Sequence, residues 1–446
     1  MLEMLLHPQN LDLVYFCTLG VFFSAFVSLL PALHIYNVLG IFMMFILSYE
    51  NTMTGMQLVS MSTGMVVGYS ILNTVPATYF GPGDESLSYY ILTSAHWVAM
   101  GRGYESVILT GMGALGGLIL LAACAPLFLH ILPGLKAITS PHMFWILGAV
   151  IAYMLLSEWP KGVSQSRSTW VNFREGWSFL LVGLATFFLS GLLGFIVLSK
   201  TMVPIEFAFQ SITPVFVGLF AIPWLITNII NAGVIPHQHE CESIDLTWEL
   251  YFRGLFGGYL GGFFAAFIPI VTAGVGGLMA GHATAQRDGR LFVMSYGTCK
   301  TVYYVGSFLL FFIPGLSLTR GGLAWIVTPV VTFLTIKEYV LFIGVMLFAA
   351  GLSFMMLMPF TRACIRLVRV IDYHWISVVA MGIIIPMTYW FTGWGGIAIM
   401  TVATGLGLLP VLFQARRMNL MGVLLLPVAI NMAGYGQEVT RFLRLV

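Results

Sequence analysis

Apolar runs recur from one end of the chain to the other, separated by short polar or Gly- and Pro-containing breaks. They lie near residues 11–30, 35–49, 53–72, 87–100, 106–132, 142–157, 176–199, 211–232, 254–281, 291–314, 322–336, 338–359, 375–391, 395–413 and 418–434. A helix needs roughly 20 apolar residues to cross the hydrocarbon of a bilayer, and several of these runs have that length. A transmembrane barrel would instead alternate apolar and polar positions over about 10 residues, and no such alternation is sustained here. The pattern predicts an all-α, polytopic transmembrane protein. The runs at 35–49 and 87–100 are too short to span alone and flank breaks. They predict broken or re-entrant helices, which are tolerated at membrane depth only where protein or a water-filled cavity satisfies the backbone.

The polar stretches divide the chain. One runs from Glu158 to Glu175, and the longest lies at 233–253. The reading is a first transmembrane repeat at 1–232, a polar connecting loop at 233–253 and a second repeat at 254–446. In the first half an apolar helix ends at Leu30-Pro31, a break follows at Asn73-Thr74-Val75-Pro76, and then comes Arg102-Gly103. In the second half the helix ends at Ile268-Pro269, a small and polar break follows at Ser295-Tyr296-Gly297-Thr298, and then comes Arg320-Gly321. Paired breaks in two halves point to pseudo-symmetric repeats, here expected to be inverted, around a central site. Close helix packing is expected at Gly257-Gly258-x-x-Gly261-Gly262 and Gly111-x-Gly113-x-x-Gly116-Gly117, because small residues let backbones approach.

Composition closes off the soluble classes. Hydrophobic residues make up 59% of the 446, and Asp, Glu, Lys and Arg only 8%, against roughly 25% in a soluble domain. The net charge of +2 gives no footing for a nucleic-acid partner. No cleavable leader is evident, so the first span is expected to serve as the insertion signal. Cys17, Cys124, Cys241, Cys299 and Cys364 are scattered and odd in number, which argues against a disulfide framework. Arg362, Arg366 and Arg369 form the strongest basic cluster, followed by Arg416 and Arg417. Two segments separate the clusters, and the positive-inside rule places the loops at 361–374 and 414–417 in the cytoplasm of a multi-pass cell-membrane protein.

The breaks carry the candidate chemistry. Pro31 to Asn37 is either a proline kink whose polar side chains bond to neighbouring helices, or a helix terminus facing an anion, with His34, Tyr36 and Asn37 as polar groups. Asn73 to Ser86 is either an external loop or a binding hairpin. Asn73, Thr74, Thr78 and Gly81 are its candidate ligands, and Asp84 is a candidate for a proton or sodium ion. Thr272 and Gly274 in the second-half break, with Thr298 and Thr301 in the next segment, are the candidates opposite. Arg102 and Arg320 would balance anionic charge or anchor the hairpin ends. Lys300 is expected to snorkel its ammonium to the membrane edge. His237, His239, Glu240 and Cys241 match no zinc spacing, so a solvated loop is expected there, with no metal. His34, His96 and His130 are isolated, and no catalytic motif occurs, so an enzyme is not expected.

Several stretches together resemble the archaeal branch of the TctA family, the large membrane subunits of tripartite tricarboxylate transporters. They are LLPALHIYN at 29–37, NTVPATYFGPGDES at 73–86, GRGYESV at 101–107, FIPIVTAG at 267–274, TRGG at 319–322 and TGLGLLPVLFQARRMNLMGVLLLP at 404–427, the last being the most specific. The resemblance implies inverted repeats with broken helices around a central site. It also implies carboxylate substrates delivered by an extracytoplasmic binding protein, with a small membrane subunit assisting. The glycine that usually follows the proline in this family is Ala32 in the first break and Ile270 in the second-half break.

The expected function is therefore secondary-active transport of a small organic anion, coupled to a Na+ or H+ gradient and without a cofactor. The scarcity of Lys and Arg favours a mono- or dicarboxylate over a tricarboxylate. Two alternatives stand beside it: translocation of a polyisoprenyl phosphate or other lipid carrier, and a non-transporting scaffold in a larger membrane complex.

Overall fold

The computed structural model describes residues 8–30, 33–48, 53–81, 86, 90–159, 168–200, 202–203, 211–231, 235–284, 288–316, 318, 324, 327–328, 331 and 335–445. Among them every regular element is helical. The helices are α1 (Pro8–Ser28), α2 (Ile35–Ser48), α3 (Gly55–Leu72), α4 (Thr74–Phe80), α5 (Tyr90–Ala99), α6 (Gly103–Thr139), α7 (Met143–Leu156), α8 (Thr169–Ser199), α9 (Thr213–Phe216), α10 (Ile222–Ile230), α11 (Trp248–Phe267), α12 (Ala273–Ala283), α13 (Gly289–Phe311), α14 (Ile336–Val370), α15 (Tyr373–Leu412), α16 (Gly422–Met432) and α17 (Gly436–Phe442). Seven stretches of the described residues are long and apolar enough to cross a membrane. An eighth is a pair, Arg417–Met432 with Gly436–Phe442, bent by 118°. The chain is thus an all-α polytopic protein with broken helices.

The breaks have local causes. Pro76 has no N–H to give the Leu72 carbonyl, so the helix is interrupted at Asn73, which keeps right-handed α backbone (φ −60, ψ −19) while Gly55–Phe80 runs on as one apolar stretch. Gly393 (φ 62, ψ −161) interrupts α15 near its middle, leaving two stretches of roughly 20 residues, each about one membrane thickness. A turn of π-helix at Val217–Ala221 joins α9 to α10.

Contacts sort the chain into two units, residues 1–136 with 232–376 and residues 137–231 with 377–446. Each takes chain from both sides of the 233–253 loop. In the first unit, α1 packs on α3 and α11 on α13 through small residues. A Cβ on Gly64 would collide with the Cys17 carbonyl, and one on Gly258 with the Ser295 carbonyl. Gly113 of α6 rests on the Met294 carbonyl in the same way, so both glycine motifs are helix-packing surfaces. In the second unit, α8 crosses the start of α16, where Gly194 lies against the Val423 carbonyl. The connecting loop is clamped onto the first unit. Gln238 accepts from the Gly103 amide (3.0 Å) and donates to the Val98 carbonyl (2.9 Å), and Arg362 pairs with Glu240 at 2.9 Å.

Candidate functional site

The polar chemistry of the first unit gathers around the α3–α4 break. Helix α3 opens with a capping box in which Thr54 and Gln57 satisfy each other's backbone. Beyond that Thr63 folds back on the Val59 carbonyl (2.7 Å) and Ser70 on Val67 (2.8 Å), while Ser60 donates across to the Leu13 carbonyl of α1. Such back-bonding lets polar residues sit in an apolar interior. At the break side chains of several elements meet.

Lys300 of α13 donates its ammonium to the Thr74 hydroxyl at 3.0 Å. The residue is fully buried. This overturns the expectation of snorkelling, for a physical reason: α13 is buried on nearly every side, so a lysine stem at its middle has no route to the surface. A cation kept at such depth is costly unless hydrogen-bonded or charge-compensated, and intramembrane charges of this kind mark functional sites. Thr301, the next residue, points its hydroxyl toward the Ser70 carbonyl at 3.5 Å. Tyr304, one turn on from Lys300, lies 3.1 Å from His34 Nε2 and donates to Ser86 Oγ at 3.2 Å. The rings of His34, Tyr36, Tyr69 and Tyr304 form one aromatic cluster. The Tyr36 backbone amide donates to His34 Nδ1 at 3.2 Å, which leaves Nε2 for the tyrosine.

A second strand of the network runs from Thr78 on α4. Its hydroxyl bonds to the Thr74 carbonyl (2.7 Å) and meets Tyr90 OH at 3.0 Å. Tyr90 OH in turn meets Ser106 Oγ at 3.2 Å and accepts from Thr110 at 3.4 Å. At the break itself, the Asn73 side chain is buried and its Nδ2 has no hydrogen-bond partner; the buried Tyr79 hydroxyl has none either. An unmet buried donor costs about 1–3 kcal/mol, so a site that leaves Asn73 Nδ2 open is poised to receive an acceptor.

The second-half break adjoins the same helix. Cys299 Sγ lies 3.5 Å from the Ala273 carbonyl in the first turn of α12. Thr272 is the N-cap residue of α12 and makes no side-chain cap bond. Both Thr272 and Gly274 are buried. Ile270 sits at φ 65, left-handed backbone that favours glycine and strains a β-branched residue.

His34, Tyr36, Asn73, Thr74, Thr78 and Thr301 thus belong to one hydroxyl-, amide- and aromatic-rich neighbourhood with Lys300, and Gly81 closes α4 at φ 88. Thr298 points elsewhere, donating to the Gly113 carbonyl of α6 at 2.8 Å. Arg102 pairs with Glu105 at 2.8 Å and stacks over Trp97, half-exposed at the start of α6. Asp84 and Arg320 lie outside the described residues, as does the side chain of Asn37. Sequence reasoning missed Lys300, Tyr304, Tyr90, Ser86, Ser106 and Thr110 as members. The i, i+4 spacing of Lys300 and Tyr304 beside the nominated Thr301 was the available signal. Among the described residues no three His, Cys, Asp or Glu side chains stand together as a metal site.

Residues 14–422 match the tripartite tricarboxylate transporter TctA family. The chain is also similar to an uncharacterised protein of Methanocaldococcus jannaschii, 22% identical over 424 residues that cover 94% of this chain and 98% of that protein. No solved structure matches it. With almost the whole length matched and broken helices meeting at a buried polar cluster, the chain belongs to the tripartite tricarboxylate transporter TctA family.

Proposed function

We propose that this membrane subunit is a secondary-active transporter of a small organic anion, a mono- or dicarboxylate, held at the α3–α4 break. The observation that carries the reading is the buried Lys300 ammonium on Thr74, one residue from the open amide of Asn73. Cation, hydroxyls and amide donors together favour a carboxylate, whose oxygens accept several charge-assisted bonds at once. His34, Tyr36, Asn37, Thr78, Gly81 and Thr301 line or shape the same site in this proposal, with Thr272 and Gly274 bringing the N-terminus of α12 toward it. Thr298 and Arg102 act in support, by packing and by charge. Coupling to a Na+ or H+ gradient, inverted symmetry of the halves, a cell-membrane location with the Arg362–Arg369 and Arg416–Arg417 ends cytoplasmic, and partnership with a small membrane subunit and an extracytoplasmic binding protein belong to the same proposal.

The test is a thermal-shift screen of the intact chain in detergent against mono-, di- and tricarboxylates. One class should raise the melting temperature, and Thr74→Val should weaken that ligand by roughly tenfold, as expected for one lost hydrogen bond to a charged group. Stabilisation by no carboxylate, or stabilisation that Thr74→Val leaves unchanged, would contradict the reading.

A further inference from the structure

The second unit holds a polar cluster outside the Lys300 neighbourhood, where residues 416–419 meet the end of α7 and helix α10. Arg416 and Arg417 are adjacent but do different things. Arg416 is tied down: its amide donates to Glu158 Oε1 at 2.9 Å and its guanidinium to Ser157 Oγ at 3.2 Å. Asn419 donates to the same Glu158 oxygen at 2.7 Å. These bonds fix the short 3-10 turn Arg417–Met421 on the end of α7 and engage the nearby carboxylate. Arg417 goes the other way and places its guanidinium carbon over the Trp224 ring of α10, 4.6 Å from the centroid. It makes no hydrogen bond or ion pair to any described residue. A guanidinium held against a ring face by cation–π attraction can still offer its N–H groups to bidentate binding of an oxyanion.

Two further donors stand beside it without partners. Trp224 Nε1 is buried and unpaired. Asn228 follows one turn later on the same face of α10. It is only 7% exposed, and its Nδ2 is also unpaired. Three donor groups without partners therefore lie along Trp224 and the turn that follows it: the Arg417 cation over its ring, its own indole N–H, and the Asn228 amide. Buried donors left open are costly, and what satisfies all three is an anion with several acceptor oxygens. The surroundings indicate where that anion comes from. Leu412 and Phe413 before the arginines and Ile230 after Asn228 are exposed large apolar residues, as a lipid-facing surface beside the site would present. Basic residues at a span's end beside an indole sit at headgroup depth.

We propose that Arg417, Trp224 and Asn228 form a binding site for a phosphate oxyanion, presented by the headgroup of an anionic membrane lipid. Arg417 supplies the bidentate charge-assisted pair, and Trp224 Nε1 and Asn228 Nδ2 donate to the remaining oxygens. Phosphate in free solution shares this chemistry, and competition distinguishes the two sources.

The test uses the purified full chain in detergent, with bound lipid counted by native mass spectrometry. Wild-type protein is offered dioleoyl phosphatidic acid or dioleoylglycerol, which differ only in the phosphate. Phosphatidic acid should be retained about tenfold better, and Arg417→Gln should remove that preference. Trp224→Phe keeps the ring face and deletes the donor, so it should weaken retention by roughly threefold to tenfold. It carries the test, with Asn228→Leu, if Arg417→Gln does not give a monodisperse protein. Arg366→Gln on α14 should change nothing. If millimolar inorganic phosphate displaces the lipid in an Arg417-dependent way, the site also takes free phosphate; if it does not, the headgroup is the ligand. Equal retention of the two lipids, or full retention in Trp224→Phe and Asn228→Leu, overturns the proposal.

Discussion

Helices α3–α4 and α15 are both apolar enough to span a membrane, yet the chain treats them in opposite ways. From Leu58 to Phe80 the α3–α4 stretch is buried throughout, whereas only a third of the most apolar window in α15 is buried. In the first, Ser60, Ser62, Thr63, Ser70, Asn73, Thr74 and Thr78 are all enclosed. In the second, Trp390 and Trp394 stand far out on the surface around the Gly393 break. Aromatic residues of that kind suit the membrane interface. Apolar sequence is needed to cross lipid in either case. Burial inside the protein is what allows hydroxyls, an open amide and a lysine to be kept at depth.

The comparison is broken most severely at the α1–α3 contact. Gly64→Val forces a side chain into the Cys17 backbone and should cost about 3 kcal/mol or more, read as a collapse of the folded fraction in detergent. A variant as stable as wild type would show that the first unit is not tightly packed. Ile270→Gly tests strain inside that same unit. Removing a β-branched side chain from φ 65 should raise stability by about 1 kcal/mol, measured as a higher midpoint in denaturant titration. Gly405 of α15, where an added Cβ would meet nothing, is the opposite case. Gly405→Ala should be neutral or stabilising by up to about 1 kcal/mol.

The smallest effect concerns Glu158, beyond the end of α7. Burial pushes its carboxyl above the usual carboxylate range, partly opposed by the Arg416 amide and Asn419. A carboxyl whose folded pKa is raised contributes stability that is full below its unfolded pKa and is lost as pH rises through the folded one. Stability should therefore fall modestly as pH climbs out of the ordinary carboxylate range toward neutrality. Glu158→Gln, which keeps an acceptor for Asn419, should flatten that slope in melting curves taken across the range.

Much of this was legible in the sequence, and the rest has identifiable reasons. Pro76 and Pro269 mark helix ends because proline lacks a donor and clashes with the preceding turn, yet Pro126, Pro133 and Pro359 sit inside continuous helices, and the break expected at Ser295–Thr298 falls within the unbroken α13. Thr74, Thr78 and His34 could be nominated from their places beside Pro76 and Pro31. Lys300 could not be judged, since nothing in a single apolar run tells whether its helix is wrapped by others or faces lipid. Tyr90, Ser106 and Thr110 are single hydroxyls in long runs, joined only once α4, α5 and α6 are assembled. Thr298 and Thr301 lie one turn apart in sequence yet serve α6 and α3 respectively. Arg417 reads as a topology signal from composition, and its partner Trp224 lies too far away in the chain to be paired with it by any local pattern.

The central claim is that the Lys300–Thr74 cluster holds the transported anion. Its most direct test is uptake of the radiolabelled carboxylate that stabilises the protein into proteoliposomes, comparing wild type with Lys300→Met at matched reconstitution. Removing one partner of a buried charged contact costs roughly 2–5 kcal/mol, so uptake at subsaturating substrate should fall by at least about 30-fold, while the variant elutes as a folded, monodisperse protein. Uptake by Lys300→Met at the wild-type rate would contradict the account.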